Sequence, residues 1–136
     1  MPEMTAPIIY AISPPTDSGA LNALFGAAWP GHAPIDFGRI HRHSLAHVCA
    51  RAGDRLVGYV NLAWDGGAHA FLLDTTVHPG WQRGGVGREL VRRAAAVARE
   101  RGAHWLHVDY EPQLDGFYRG CGFRPTAAGL IQLRAS

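Results

Sequence analysis

The chain has 136 residues, 47% of them hydrophobic, with 13 basic and 11 acidic side chains and a formal net charge of +2. This is the length and composition of a single domain spanning 1–136 that buries its own core, which excludes a disordered chain and a disulfide scaffold. No apolar run approaches the roughly 20 residues of a membrane span, Met1-Pro2-Glu3-Met4 lacks the positive start of a signal peptide, and Cys49 and Cys121 stand far apart. A soluble cytoplasmic protein with no membrane partner is the expectation. Every basic residue is arginine, and the charge is too small to make nucleic acid the main partner.

Pro7–Ile12 reads as a first strand, stopped by Ser13-Pro14-Pro15. Asp17 or Ser18 then caps a helix to about Ala28, whose Leu21, Leu24, Phe25 and Ala28 recur at helical spacing. Residues 32–43 are a loop or short helix rich in His and Arg. Three β-prone runs follow, Leu45–Ala50, Leu56–Ala63 and Ala68–Val77, with glycine turns between them, predicting an antiparallel meander. The stretch Arg88–Arg101 carries one apolar face (Leu90, Val91, Ala94, Val97, Ala98) and ends at Gly102. A strand over Trp105–Tyr110, a short helix over 113–120 and a last strand or hairpin around Leu130–Leu133 complete a mixed α/β order.

The segment between the third meander strand and the amphipathic helix carries the chemistry. Val77-His78-Pro79-Gly80-Trp81-Gln82-Arg83-Gly84-Gly85-Val86-Gly87 combines a glycine-rich turn with a helix N-terminus, an arrangement suited to a phosphate or pyrophosphate. A nucleotide P-loop is excluded because the chain has no lysine, and the dinucleotide fingerprint fails at Leu90.

Val77-x-Pro79-x-x-Gln82-Arg83-x-Gly85-x-Gly87 resembles the acyl-CoA pyrophosphate loop of the GCN5-related N-acetyltransferases, the GNAT family. Further on, Phe117-Tyr118-Arg119-Gly120-Cys121-Gly122-Phe123 is similar to that family's Phe-Tyr-x-x-x-Gly-Phe signature, in the same order and spacing. The resemblance implies a mostly antiparallel sheet flanked by helices, with its fourth and fifth strands splayed. It implies acetyl-CoA as donor, no metal, and direct transfer of acetyl to a primary amine without a covalent enzyme intermediate. The backbone of Thr75, Thr76 and Val77 would pair with the pantetheine arm. The N–H groups of Gln82, Arg83, Gly84, Gly85, Val86, Gly87 and Arg88 would cradle the pyrophosphate, and Tyr118 would protonate the departing thiolate. Dimers are common in the family, so a homodimer is admitted.

An attacking amine must be neutral, and a lysine-like amine is only about 0.1% neutral near pH 7.4, so a base is needed. The family often places one on the fourth strand, where this chain has Phe71 and Leu73, neither of which takes a proton. Asp109, in a run similar to that of the protein N-terminal branch, is the first candidate, with Glu111 beside it. Asp74 becomes a third if a bulge turns it inward. Trp29, His32, Asp36 and Phe37 occupy the segment that shapes the acceptor pocket in the family, and an aromatic and acidic lining suits a small cationic amine. The eight histidines show no helix-borne metal motif, although His41, His43 and His107 are potential proton shuttles. A small-molecule amine is the preferred acceptor. A protein amine and a non-catalytic acyl-CoA-binding module are the alternatives.

Overall fold

The computed structural model describes residues 6–135. Its elements are β1 (Ile8–Ile12), α1 (Ser18–Ala28), α2 (Phe37–His41), β2 (Ser44–Ala52), β3 (Arg55–Trp64), β4 (His69–Val77), α3 (Val86–Glu100), β5 (Trp105–His107) and α4 (Asp115–Gly120). The five strands form one sheet in chain order, antiparallel from β1 to β4, with β5 added parallel to β4. The parallel step follows from α3, since a strand that returns through a helix re-enters the sheet in the same direction.

Each helix forms for a local reason. Asp17 caps α1 by accepting from Gly19 N at 2.9 Å, and Asp36 caps α2 by accepting from Arg39 N at 3.2 Å. Helix α3 lays Val86, Leu90, Val91, Ala94, Val97 and Ala98 on one face of the sheet. Gly58 on β3 lets it approach, since a Cβ there would meet Leu90 Cδ1 and Val86 Cγ1, each at 3.0 Å. On the opposite face α1 and α2 seal Leu21, Leu24, Phe25 and Phe37 against Cys49, Leu56 and Tyr59. The sheet is therefore buried on both sides at β2 and β3 and opens toward β4 and β5.

Two expectations change. The strand predicted over Trp105–Tyr110 stops at His107, because pairing with β4 ends at Phe71↔His107 and the backbones then part. No strand forms at Leu130–Leu133 among the described residues; Leu130, Ile131 and Leu133 are 84%, 85% and 93% exposed. An alternating apolar run is a strand only when a neighbouring edge pairs with it.

Candidate functional site

Past Val77 the chain makes a short 3-10 turn, Pro79–Trp81, which His78 caps by accepting from Gly80 N at 3.0 Å. Gln82 folds back to donate from Nε2 to Val77 O at 3.1 Å, tying the loop to the strand. Arg83 (φ 65) and Gly85 (φ 88) are left-handed, and the N–H groups of residues 83–88 make no well-aligned hydrogen bond to any acceptor among the described residues. Alternating hands of this kind turn successive N–H groups into an anion-binding concavity at the positive end of α3. An arginine at positive φ costs on the order of 1 kcal/mol, strain typical of ligand-holding loops. A Cβ on Gly87 would lie 3.3 Å from Phe117 Cζ, so the two sequence motifs are in contact.

The second component is the gap beyond His107. There β4 runs on through Asp74–Val77 with no partner on its β5 side. Helix α4 fills the base of the gap with Tyr118, 6% exposed, stacked on Tyr110 with centroids 4.8 Å apart and set edge-on to Phe117 and Phe123. Burial pushes the Tyr118 phenol up; the Thr75 side chain beside it pulls the other way, and the Cys121 and Asp109 charges add to the rise. The phenol is therefore a proton holder at neutral pH, next to the unpaired edge of β4.

The third component is a bulge in β4. Register with β3 slips between Asn61↔Leu73 and Tyr59↔Thr76, so Asp74 and Thr75 together face Val60. Asp74 adopts φ 58. Trp29 Nε1 donates to Thr76 Oγ1 at 3.0 Å and Thr76 Oγ1 donates to Asp74 O at 2.9 Å, which braces the bulge from the end of α1. Burial raises the Asp74 carboxyl above the usual range. Beneath it Tyr59, fully buried, bonds His41 Nε2 at 2.8 Å, and His41 stacks on His47 at 3.8 Å. Burial and then the Asp74 charge drive the Tyr59 phenol far up, so it stays protonated.

A cavity of about 480 Å³ opens beside Leu73 on the α2 side of the sheet. Ile35, Ile40, Ala63 and Leu73 form its walls, and Ser44 and Asn61 its floor. Of the four residues expected to shape the acceptor pocket, only Asp36 reaches this cavity. Trp29 is the bulge brace. His32 bonds Asn22 Oδ1 at 2.8 Å, and Phe37, 1% exposed, belongs to the core. The His32 and Phe37 rings both pack against Phe25, with centroids 5.4 and 5.0 Å away, and so hold α1, α2 and the intervening loop together.

The three candidate bases separate in space. Asp74 follows Leu73 of the cavity wall, Asp109 and Glu111 lie on the segment after β5, and all three are exposed. Of the latter two, the Asp109 charge acts on Tyr118. Arg88 donates to Gly120 O at 3.2 Å and borders a groove of about 290 Å³ with Arg92, Arg99 and Cys121. Among the described residues no three His, Cys, Asp or Glu side chains gather as a metal site. His69 Nδ1 and His107 Nε2 lie within hydrogen-bond distance of each other at 2.8 Å. Sequence inspection missed Ser44, Tyr59 and Asn61. The available signal was one amide inside the buried run Leu56–Leu62.

The split sheet, the Tyr118 phenol and the loop of free N–H groups meet along the unpaired edge of β4. The acetyltransferase (GNAT) family model matches residues 18–123, and the chain belongs to that family. It is 32% identical over 112 residues to serotonin N-acetyltransferase 2 of Oryza sativa, covering 79% of this chain and 56% of the relative. It is 29% identical over 127 residues to mycothiol acetyltransferase of Mycobacterium avium, covering 85% of this chain and 37% of the relative. The chain thus spans about half or less of the length of these curated relatives. A GNAT-family acetyltransferase structure from Streptococcus pneumoniae superposes with a TM-score of 0.80 at 27% identity, over 95% of this chain and 99% of the other.

Proposed function

We propose that the protein is an acetyl-CoA-dependent N-acetyltransferase acting on a small-molecule primary amine. The observation that carries this is the coincidence of six unpaired N–H groups at residues 83–88 with the β4–β5 gap that holds Tyr118. The donor fits: Arg83 to Arg88 offer N–H groups to the pyrophosphate, and the free edge of Thr75, Thr76 and Val77 offers main-chain groups to the pantetheine amides. Acetyl-CoA supplies an activated thioester.

The residues then divide the remaining work. A neutral amine attacks the thioester carbonyl carbon; the C–N bond forms, the C–S bond breaks, and the sulfur takes a proton from Tyr118. The surplus proton of the amine passes to Asp74, whose raised carboxyl pKa suits a base at neutral pH better than an ordinary aspartate. Asp74 is preferred over Asp109 and Glu111 because it directly follows Leu73, which lines the cavity, and because its carboxyl is raised above the usual range. A small-molecule acceptor is supported by the cavity of about 480 Å³ beside Leu73 and by the names of the serotonin and mycothiol relatives.

Thermal melting with and without acetyl-CoA tests the donor site, since a ligand of the folded state at about 100 times its Kd adds roughly 2.7 kcal/mol. Tyr118→Phe should retain that shift and lose about a hundredfold in turnover, measured as amine-dependent CoA release. Absence of any shift at millimolar acetyl-CoA sinks the proposal. Full turnover by Tyr118→Phe removes the role of the phenol.

A further inference from the structure

The floor of the cavity holds a polar group that the protein itself leaves unused. Asn61 is 2% exposed and stands directly opposite Leu73 across the β3–β4 pair. The Ser44 hydroxyl lies 2.6 Å from its Oδ1. That separation is ordinary for O–H donating to oxygen and short for N–H donating to oxygen, so it fixes which end of the amide faces Ser44. Ile40 O, the other acceptor near Ser44 Oγ at 3.1 Å, already receives His43 N at 2.9 Å, so the hydroxyl hydrogen is available to Asn61. The amide nitrogen Nδ2 then points away from Ser44 and donates to nothing among the described residues. It is not sealed inside either, because Trp81 Nε1 is the one enclosed side-chain polar atom without a partner among them. Asn61 is among the residues that line the cavity.

We infer that Asn61 Nδ2 selects the acceptor, donating a hydrogen bond to a neutral oxygen on a primary monoamine whose apolar body fills the space between Ile35, Ile40, Ala63 and Leu73. This rests on the acetyltransferase proposal and narrows its substrate class. Leu73 directly precedes the Asp74 bulge, so an oxygen over Asn61 and an amine at the bulge are separated by about one strand spacing, roughly 5–8 Å. The charge distribution argues against a polycation. Asp36 is the one carboxylate on the lining, it already accepts from Arg39 N, and the Arg39 guanidinium is at the same mouth. A lone buried donor discriminates strongly, because an analogue without the oxygen leaves it desolvated and unpaired.

The test uses the full chain with acetyl-CoA and three probes: tyramine, phenethylamine, which lacks the hydroxyl, and spermidine. The expected result is a kcat/KM for tyramine about tenfold or more above phenethylamine, with spermidine the poorest. Asn61→Leu, close in volume, should bring the tyramine to phenethylamine ratio near one while leaving the acetyl-CoA melting shift unchanged. Ser44→Ala, which frees the amide to rotate, should reduce the ratio and serves if Asn61→Leu does not fold. Equal rates for the two arylalkylamines, a ratio that survives both substitutions, or a preference for spermidine overturns the inference. So does failure of both arylalkylamines to react or bind in a protein that melts higher with acetyl-CoA. Loss of the melting shift itself refutes the acetyltransferase proposal instead.

Discussion

Protonation of His47 is expected to destabilise this protein from within. The ring is 6% exposed, lies flat against His41 at 3.8 Å, and hydrogen-bonds Pro14 O from Nε2 at 3.2 Å. Burial first and the neighbouring His41 second depress its pKa from 6.5 to about 4, against a smaller upward pull from the Pro14 carbonyl. A group whose folded pKa lies below its unfolded value binds protons preferentially in the unfolded state. Stability therefore falls as pH drops through the window from about 6.5 to about 4. Between pH 7 and 4.5 that linkage is worth about 2.5 kcal/mol, or roughly 10 °C in melting temperature for a domain of this size. It is a ceiling, because local opening that admits water releases part of it. The assay is urea unfolding of wild type and His47→Gln at several pH values in that range. Glutamine keeps a donor for Pro14 O and does not titrate, so the wild-type advantage should shrink by about this amount as pH falls. Parallel stability curves for the two proteins refute the placement of His47 as a buried neutral ring.

Three further outcomes follow from particular positions. Gly58→Ala should lower stability by about 1–3 kcal/mol in urea, since its Cβ meets Leu90, Val86 and Ala50 at 3.0–3.1 Å; an unchanged midpoint contradicts the close seat of α3. Gly85→Ala meets no atom within 4 Å, so its cost is the left-handed backbone alone, about 1 kcal/mol, and the acetyl-CoA melting shift should shrink with it; a full shift argues against the nest. Asp74→Asn should lower kcat/KM and abolish the rise of activity as pH increases through the elevated Asp74 pKa, a deprotonation that switches the base on. Retention of that acid limb in Asp74→Asn and its loss in Asp109→Asn would move the base to Asp109.

Local patterns carried far along this chain. The Asp17 cap, the apolar stripe from Val86 to Ala98 and the three-strand meander are short-range features, and a single sequence displays them because helix caps, helical periodicity and turns depend on neighbours within a few residues. The glycine loop and the Phe117-Tyr118 motif were legible for a similar reason, as was the possibility of a bulge at Asp74.

Which side chains meet was decided elsewhere. Trp29 and Phe37 look alike as aromatics near a pocket, yet one braces Thr76 and the other fills the core, because the crossing of α1 and α2 over the sheet assigns their directions. The early end of β5 and the unpaired Leu130–Leu133 run reflect strand partners, which are long-range and leave no mark in a local window. Asn61, Ser44 and Leu73 come from three different elements, and only the β2–β3–β4 register sets them around one cavity. Sequence by itself marked most of the elements and the glycine loop; the fold decided which residues line the cavity, because a cavity is made of contacts between residues distant along the chain.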